Sequence, residues 1–144
     1  PNCFAFRSDQ PASCQQDVPA APAGLVDAET FAGQYPPLYY AAVGWPSLVL
    51  GAEAGTYAMR IVSATITALL LTWAAYRVHR DLGPVALWGV LVAATPMVLF
   101  LGATVNPQAL EIAAAVSFWA AALSLALAPR GPSTGALVQV AVSG

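Results

Sequence analysis

Arg60-Ile61-Val62-Ser63-Ala64-Thr65-Ile66-Thr67-Ala68-Leu69-Leu70-Leu71-Thr72-Trp73-Ala74-Ala75-Tyr76-Arg77 is the stretch that decides the fold. Sixteen uncharged, mostly apolar residues separate its two arginines. A membrane-spanning helix needs about 20 such residues, and a terminal arginine can lay its stem along hydrocarbon while its head reaches water. The stretch reads as the core of a span at about 56–77. The whole chain agrees: of its 144 residues 58% are hydrophobic and only 8% charged. Soluble domains carry about 25% charged residues, so this chain is built for a bilayer as solvent. A net charge of -2, with five arginines and no lysine, excludes a nucleic-acid partner, which needs clustered cations.

Two more spans follow toward the C-terminus. One lies in the uncharged stretch Leu82–Leu110, at about 84–105, and Pro96 in its middle is expected to kink it. The other runs from about 107 to 129, with 18 uncharged residues between Glu111 and Arg130. Residues 131–144 read as a linker and the start of a fourth span. Toward the N-terminus, residues 38–54 are apolar but too short to cross. Tyr39, Tyr40 and Trp45 are residue types that settle at headgroup level, and Pro46 interrupts any helix there, so the segment reads as interfacial or juxtamembrane. Residues 1–37 form a polar loop holding Asp9, Asp17, Asp27 and Glu29. The expected fold is an all-α polytopic membrane protein with a loop, an interfacial helix and three transmembrane helices. Pro1 in place of an initiating methionine, and a new apolar run at 136–142, read as an internal piece of a larger polypeptide.

Orientation comes from arginine. Arg77, Arg80 and Arg130 fall on one side when the three spans alternate, and positively charged flanks mark the cytoplasmic side. The N-terminal loop, Tyr35 and Asn106-Pro107 are then extracytoplasmic, on a multi-pass plasma-membrane protein. An oxidising compartment suits a Cys3–Cys14 disulfide, which would stabilise so short a loop by roughly 2–3 kcal/mol. His79 sits in the basic cytoplasmic turn as a solvated residue.

Asn106 and Pro107 are the expected N-cap and first residue of the third span. Glu111 lies one turn in, where the helix dipole favours a carboxylate, and acids at membrane depth tend to be functional. Arg60 is either an interface anchor or a ligand for a lipid phosphate, which a guanidinium fork fits, and it can pair with Glu111. Ala113, Ser117 and Ala121 recur every four residues and read as a packing stripe. There is no His/Cys metal set, phosphate-cradling glycine loop or Ser-His-Asp set, so no cofactor is evident. A divalent cation on the loop acids is the one ligand left open.

The order of parts resembles the GT-C superfamily of membrane glycosyltransferases. There a large extracytoplasmic loop ends in Pro-Pro-Leu and is followed by a short apolar helix, a glycine and an arginine entering the next span. The matching residues are Tyr35-Pro36-Pro37-Leu38-Tyr39-Tyr40, Gly51 and Arg60-Ile61-Val62-Ser63. More closely, the chain looks like the actinobacterial DUF2142 family of predicted membrane proteins, on Cys3-Phe4-Ala5-Phe6, Cys14, the same arginine segment and Asn106-Pro107-Gln108-Ala109-Leu110-Glu111. The resemblance covers about residues 3–125. It implies sugar transfer from a polyprenyl-phosphate donor to a cell-envelope glycan or glycoprotein. Tyr35, Tyr39, Tyr40, Arg60, Asn106 and Glu111 then become candidate substrate contacts, and the catalytic carboxylate lies on residues preceding this chain. Related transferases often carry lysine where Tyr35 stands. The residues themselves also fit a transporter or lipid-flippase subunit, with Arg60, Glu111 and a kink at Pro96 along a path, or a non-catalytic membrane scaffold.

Overall fold

A computed structural model describes residues 8–14, 35, 37–127 and 133–144, all helical or in turns. The chain divides into two compact units, Pro1–Phe31 and Ala32–Gly144. Within the first, Ala12–Cys14 form a 3-10 turn closed by the Cys14 N–H on the Pro11 carbonyl at 3.0 Å. The expected Cys3–Cys14 bridge lies outside the described residues, because Cys3 does.

The second unit begins with α1 (Pro37–Gly44), followed by a 3-10 turn at Trp45–Leu48 that Pro46 enters near its start. α2 (Ala52–Leu82) comes next and is longer than expected at both ends. Gly51 sits at its N-cap in extended backbone, and no breaker intervenes until Gly83 (φ 94°) and Pro84. The basic segment Arg77–Asp81, expected to be a connecting turn, is therefore its last helical turn, and His79 is exposed on that helix rather than in a loop. α1 does not run on into α2 as one interfacial piece over 38–54. It folds back along α2, with the Tyr39 and Ser63 hydroxyls sharing a buried 3.0 Å hydrogen bond. At the other end of this hairpin, a Cβ on Gly55 would sit 3.3 Å from the Ser47 Cα.

The expected second span is broken. α3 (Pro84–Ala93) and α4 (Pro96–Gly102) meet at 64°. Pro96 has no N–H to continue the ladder, and the Thr95 side chain caps α4 by accepting the Val98 N–H at 3.3 Å. α5 (Pro107–Leu127) is the third expected span; at 1.5 Å per residue its length of about 31 Å matches the hydrocarbon core. α6 (Thr134–Ser143) occupies most of the expected fourth start. By length and composition, two helices, α2 and α5, can cross a membrane, or three elements if the broken pair counts as one.

In lipid no hydrophobic effect drives helices together, so close packing must do so, and small residues permit it. α5 meets that need, burying Ala109, Ala113, Ser117, Ala120, Ala121 and Ser124. Leu71, Val98 and Ala113 form one cluster, and Ala74, Val78, Val90 and Ala120 another. At Gly102 a Cβ would stand 3.0 Å from the Thr67 Cγ2, so α4 crosses α2 at close range.

The Arg60 Nε donates to the Ala103 carbonyl at 2.9 Å. α4 thus ends level with a residue 22 positions before the end of α2, about 33 Å along that helix. This return predicts that cysteines placed at Arg80 and Gln108, both exposed, react with a membrane-impermeant thiol reagent from opposite faces. Reaction from the same face would make α3–α4 a re-entrant loop.

Candidate functional site

Three of the expected site residues, Arg60, Asn106 and Glu111, lie toward the Arg60 end of α2, where α4 ends and α5 begins. Arg60 is exposed, and its one hydrogen bond among the described residues is the Nε contact to Ala103. That contact tethers the guanidinium to the end of α4, where carbonyls lack helical donors. No hydrogen bond among the described residues engages its two terminal nitrogens. Asn106 caps α5 as expected, its Oδ1 accepting the Gln108 N–H at 2.9 Å, and Pro107 opens the helix. Glu111 is exposed one turn further along. The expected Arg60–Glu111 pair does not form, because Arg60 is drawn to the Ala103 carbonyl; the ion pairs among the described residues lie elsewhere. The cation and the carboxylate are therefore both unspent.

The tyrosines separate in role. Tyr39 is buried against Ser63 and meets Tyr40 edge-on, with ring centroids 5.3 Å apart. Tyr40 is half-buried, and Tyr35, preceding α1, is exposed. Tyr39 thus fixes α1 to α2, while Tyr35 and Tyr40 are the two of the three that stay accessible.

The opposite end holds a polar cluster that the sequence reading missed. Arg77 is only 4% exposed. Its Nε donates to the Gln139 Oε1 at 3.2 Å, and its Nη1 reaches the Ser133 Oγ at 3.1 Å and the Asp81 Oδ2 at 3.4 Å. Gln139, fully buried, passes the connection on through its Nε2 to the Ser117 Oγ at 2.9 Å and the Ser117 carbonyl at 3.2 Å. The chain Asp81–Arg77–Gln139–Ser117 therefore joins α2, α6 and the midpoint of α5. Ser117 lay in the small-residue stripe, whose three members are all buried, and Arg77 among the arginines used for orientation; neither pattern pointed to Gln139. Arg80 remains largely exposed beside Asp81 at 3.8 Å.

An apolar groove of about 390 Å³ opens between α3 and α5, bounded by Ala86, Gly89, Ala115, Trp119 and Leu123. None of the candidate residues lines it. Among the described residues no group of three or more His, Cys, Asp or Glu side chains is placed to hold a metal.

Comparison with known proteins gives one positive result: a family model described as a predicted membrane protein, DUF2142, matches residues 1–144. No curated protein and no solved structure matches the chain.

The polar cluster crowds Gly135: a Cβ there would stand 2.6 Å from the Arg77 Nη2 and would push the guanidinium off its Gln139, Ser133 and Asp81 partners. Gly89→Ala, with no atom within 4 Å of the added methyl, serves as the control. Thermal unfolding of the purified protein is expected to show a Tm several degrees lower for Gly135→Ala. Gly89→Ala is expected to be neutral or up to about 1 kcal/mol stabilising, from the helix propensity gained. Equal Tm values would mean Arg77 does not occupy this position.

Proposed function

The chain belongs to the DUF2142 family of predicted membrane proteins, and we propose that its Arg60 end holds the phosphate of a polyprenyl-phosphate-linked sugar. In this reading the full-length protein is a GT-C-like glycosyltransferase of the plasma membrane. The sugar passes at the extracytoplasmic face to a cell-envelope glycan or glycoprotein. The broken α3–α4 pair counts as one crossing, so the spans are three. Arg80 and Arg130 mark the cytoplasmic side, and the N-terminal loop is extracytoplasmic and closed by the Cys3–Cys14 disulfide.

The observation that carries the reading is the state of Arg60. Its Nε is engaged by the Ala103 carbonyl, while the side chain is exposed and no described residue hydrogen-bonds its two terminal nitrogens. A planar fork with two free edges is shaped for bidentate contact with phosphate. Glu111, one helical turn into α5 and not neutralised by Arg60, is placed to orient a sugar or acceptor hydroxyl by accepting its hydrogen bond. Tyr35 and Tyr40 supply rings on which a sugar can stack, and Asn106 keeps its side-chain N–H₂ for a hydroxyl. The resemblance of Tyr35–Tyr40 and Arg60–Ser63 to GT-C loop and span segments points the same way.

A transporter or flippase subunit is the second reading. The 64° break of α3–α4 and the buried Arg77 favour it, because broken helices and intramembrane charges line transport paths.

Reconstituted full-length protein, supplied with polyprenyl-phosphate-linked sugars, separates the two. Charged hydrogen bonds contribute about 1.5–3 kcal/mol, so Arg60→Ala and Glu111→Gln are each expected to lower sugar transfer by about tenfold or more. Transfer at the wild-type rate in both variants removes these residues from the site. Movement of the donor across the bilayer without transfer selects the second reading.

A further inference from the structure

The break between α3 and α4 leaves acceptors that the described residues do not satisfy. Pro96 cannot supply an N–H to the Val92 carbonyl. The Thr95 N–H, which would serve Leu91 in a continuous helix, turns instead to the Ala93 carbonyl at 2.9 Å. Among the described residues no other hydrogen bond reaches the carbonyls of Leu91 or Val92. Leu91, Val92, Thr95 and Pro96 are all exposed.

The depth of this break gives it meaning. α3 starts at the Arg77 end, and its ten residues carry the chain about 15 Å, half the hydrocarbon thickness. Ala94 packs beside the Leu71, Val98 and Ala113 cluster within the α2–α5 bundle. Irregular backbone at that depth is not found facing lipid; it is covered by protein or lines a water-filled cavity. Water is disfavoured here, because the exposed neighbours Trp88, Leu91, Val92, Met97 and Phe100 are all apolar. The surface is a stripe for another helix: Val85, Trp88, Leu91 and Val92 recur at helical spacing of three and four on one exposed face of α3, and exposed Thr95 follows at the break.

We propose that this stripe is covered by the same stripe of a second copy of the chain. A twofold axis along the membrane normal brings equal depths together and makes an interface self-complementary. The donor it requires is present at that depth. The Thr95 Oγ accepts from the Val98 N–H, and its own hydrogen is left to donate. Across the axis, that one hydrogen donates to the Val92 carbonyl of the other copy, the acceptor that Pro96 leaves without an N–H. Each copy then supplies the donor that its partner's broken helix lacks, within an apolar interface. The inference rests on α3–α4 crossing the membrane, which thiol labelling at Arg80 and Gln108 tests by itself.

The experiment is oxidative cross-linking of the full-length protein in native membranes with a cysteine at Val92. Leu69→Cys, exposed on α2 away from the stripe, and the unsubstituted protein are the references. Val92→Cys is expected to give a species of twice the monomer mass at least fivefold more abundant than either reference gives. Thr95→Val in the Val92→Cys background is expected to reduce that species several-fold, and Thr95→Ser, which keeps both donor and cap, to preserve it. No dimer above the references, or a dimer indifferent to Thr95→Val, overturns the proposal. Crossing confirmed by labelling without the dimer shows that another segment covers the break.

Discussion

The interaction on which the rest of this fold depends is the burial of Arg77. A guanidinium at the centre of a membrane helix costs about 2.5–3.5 kcal/mol on insertion scales; Arg77 lies nearer the end of α2, yet it is only 4% exposed, and such burial is retained where partners meet it. Here those partners come from three places in the sequence: Asp81 one turn on, Ser133 at the cap of α6, and Gln139 within α6. Gln139 itself is a polar residue inside a ten-residue apolar helix, and it is satisfied only because Arg77 and Ser117 take both ends of its amide. Neither α6 nor the end of α2 is self-sufficient in lipid. Each makes the other admissible, and α5 closes the triangle.

This division of polar groups sets what each end can do. Within the Asp81–Arg77–Gln139–Ser117 chain the donors and acceptors serve one another, and the guanidinium stands against Gly135, so a side chain there must displace it. At the Arg60 end the pairing is incomplete by construction. Arg60 spends one nitrogen on a helix terminus, Asn106 spends its oxygen on a cap, and Glu111 spends nothing on Arg60. A rigid end carries an end with unused hydrogen-bonding capacity, and ligand chemistry belongs at the second. The apolar groove between α3 and α5 lies away from that capacity and is a surface for hydrocarbon or a helix rather than for a phosphate.

Much of the framework was legible because the bilayer imposes it through composition. The charge-free stretch after Arg60 requires a membrane helix, Pro96 breaks the next one, and Asn106-Pro107 opens α5 as its residue types require. The ends of α2 were not legible. Glu53 and the run Arg77–Asp81 carry charge, which reads as loop, yet nothing in them prevents helix until Gly83 and Pro84. Arg77 was misread for a related reason. Counting arginines near helix ends treats each as a topological marker, whereas its true partner Gln139 lies 62 residues away and becomes visible only once α6 packs. Tyr39 likewise looked like an interface anchor, and its bond to Ser63 depends on α1 folding back along α2.

The central claim is that Arg77 and Gln139 are energetically one buried unit. A double-mutant cycle of Arg77→Leu and Gln139→Leu, read as unfolding free energy in detergent micelles or bicelles, tests it most directly. Leucine at either position leaves the other group buried without its partner, and a hydrogen bond to a charged group contributes about 1.5–3 kcal/mol, whereas leucine at both positions removes the mismatch. The account predicts two destabilised single variants and a double variant more stable than their sum by at least about 1 kcal/mol. Strict additivity, or a single variant as stable as the parent, would contradict it.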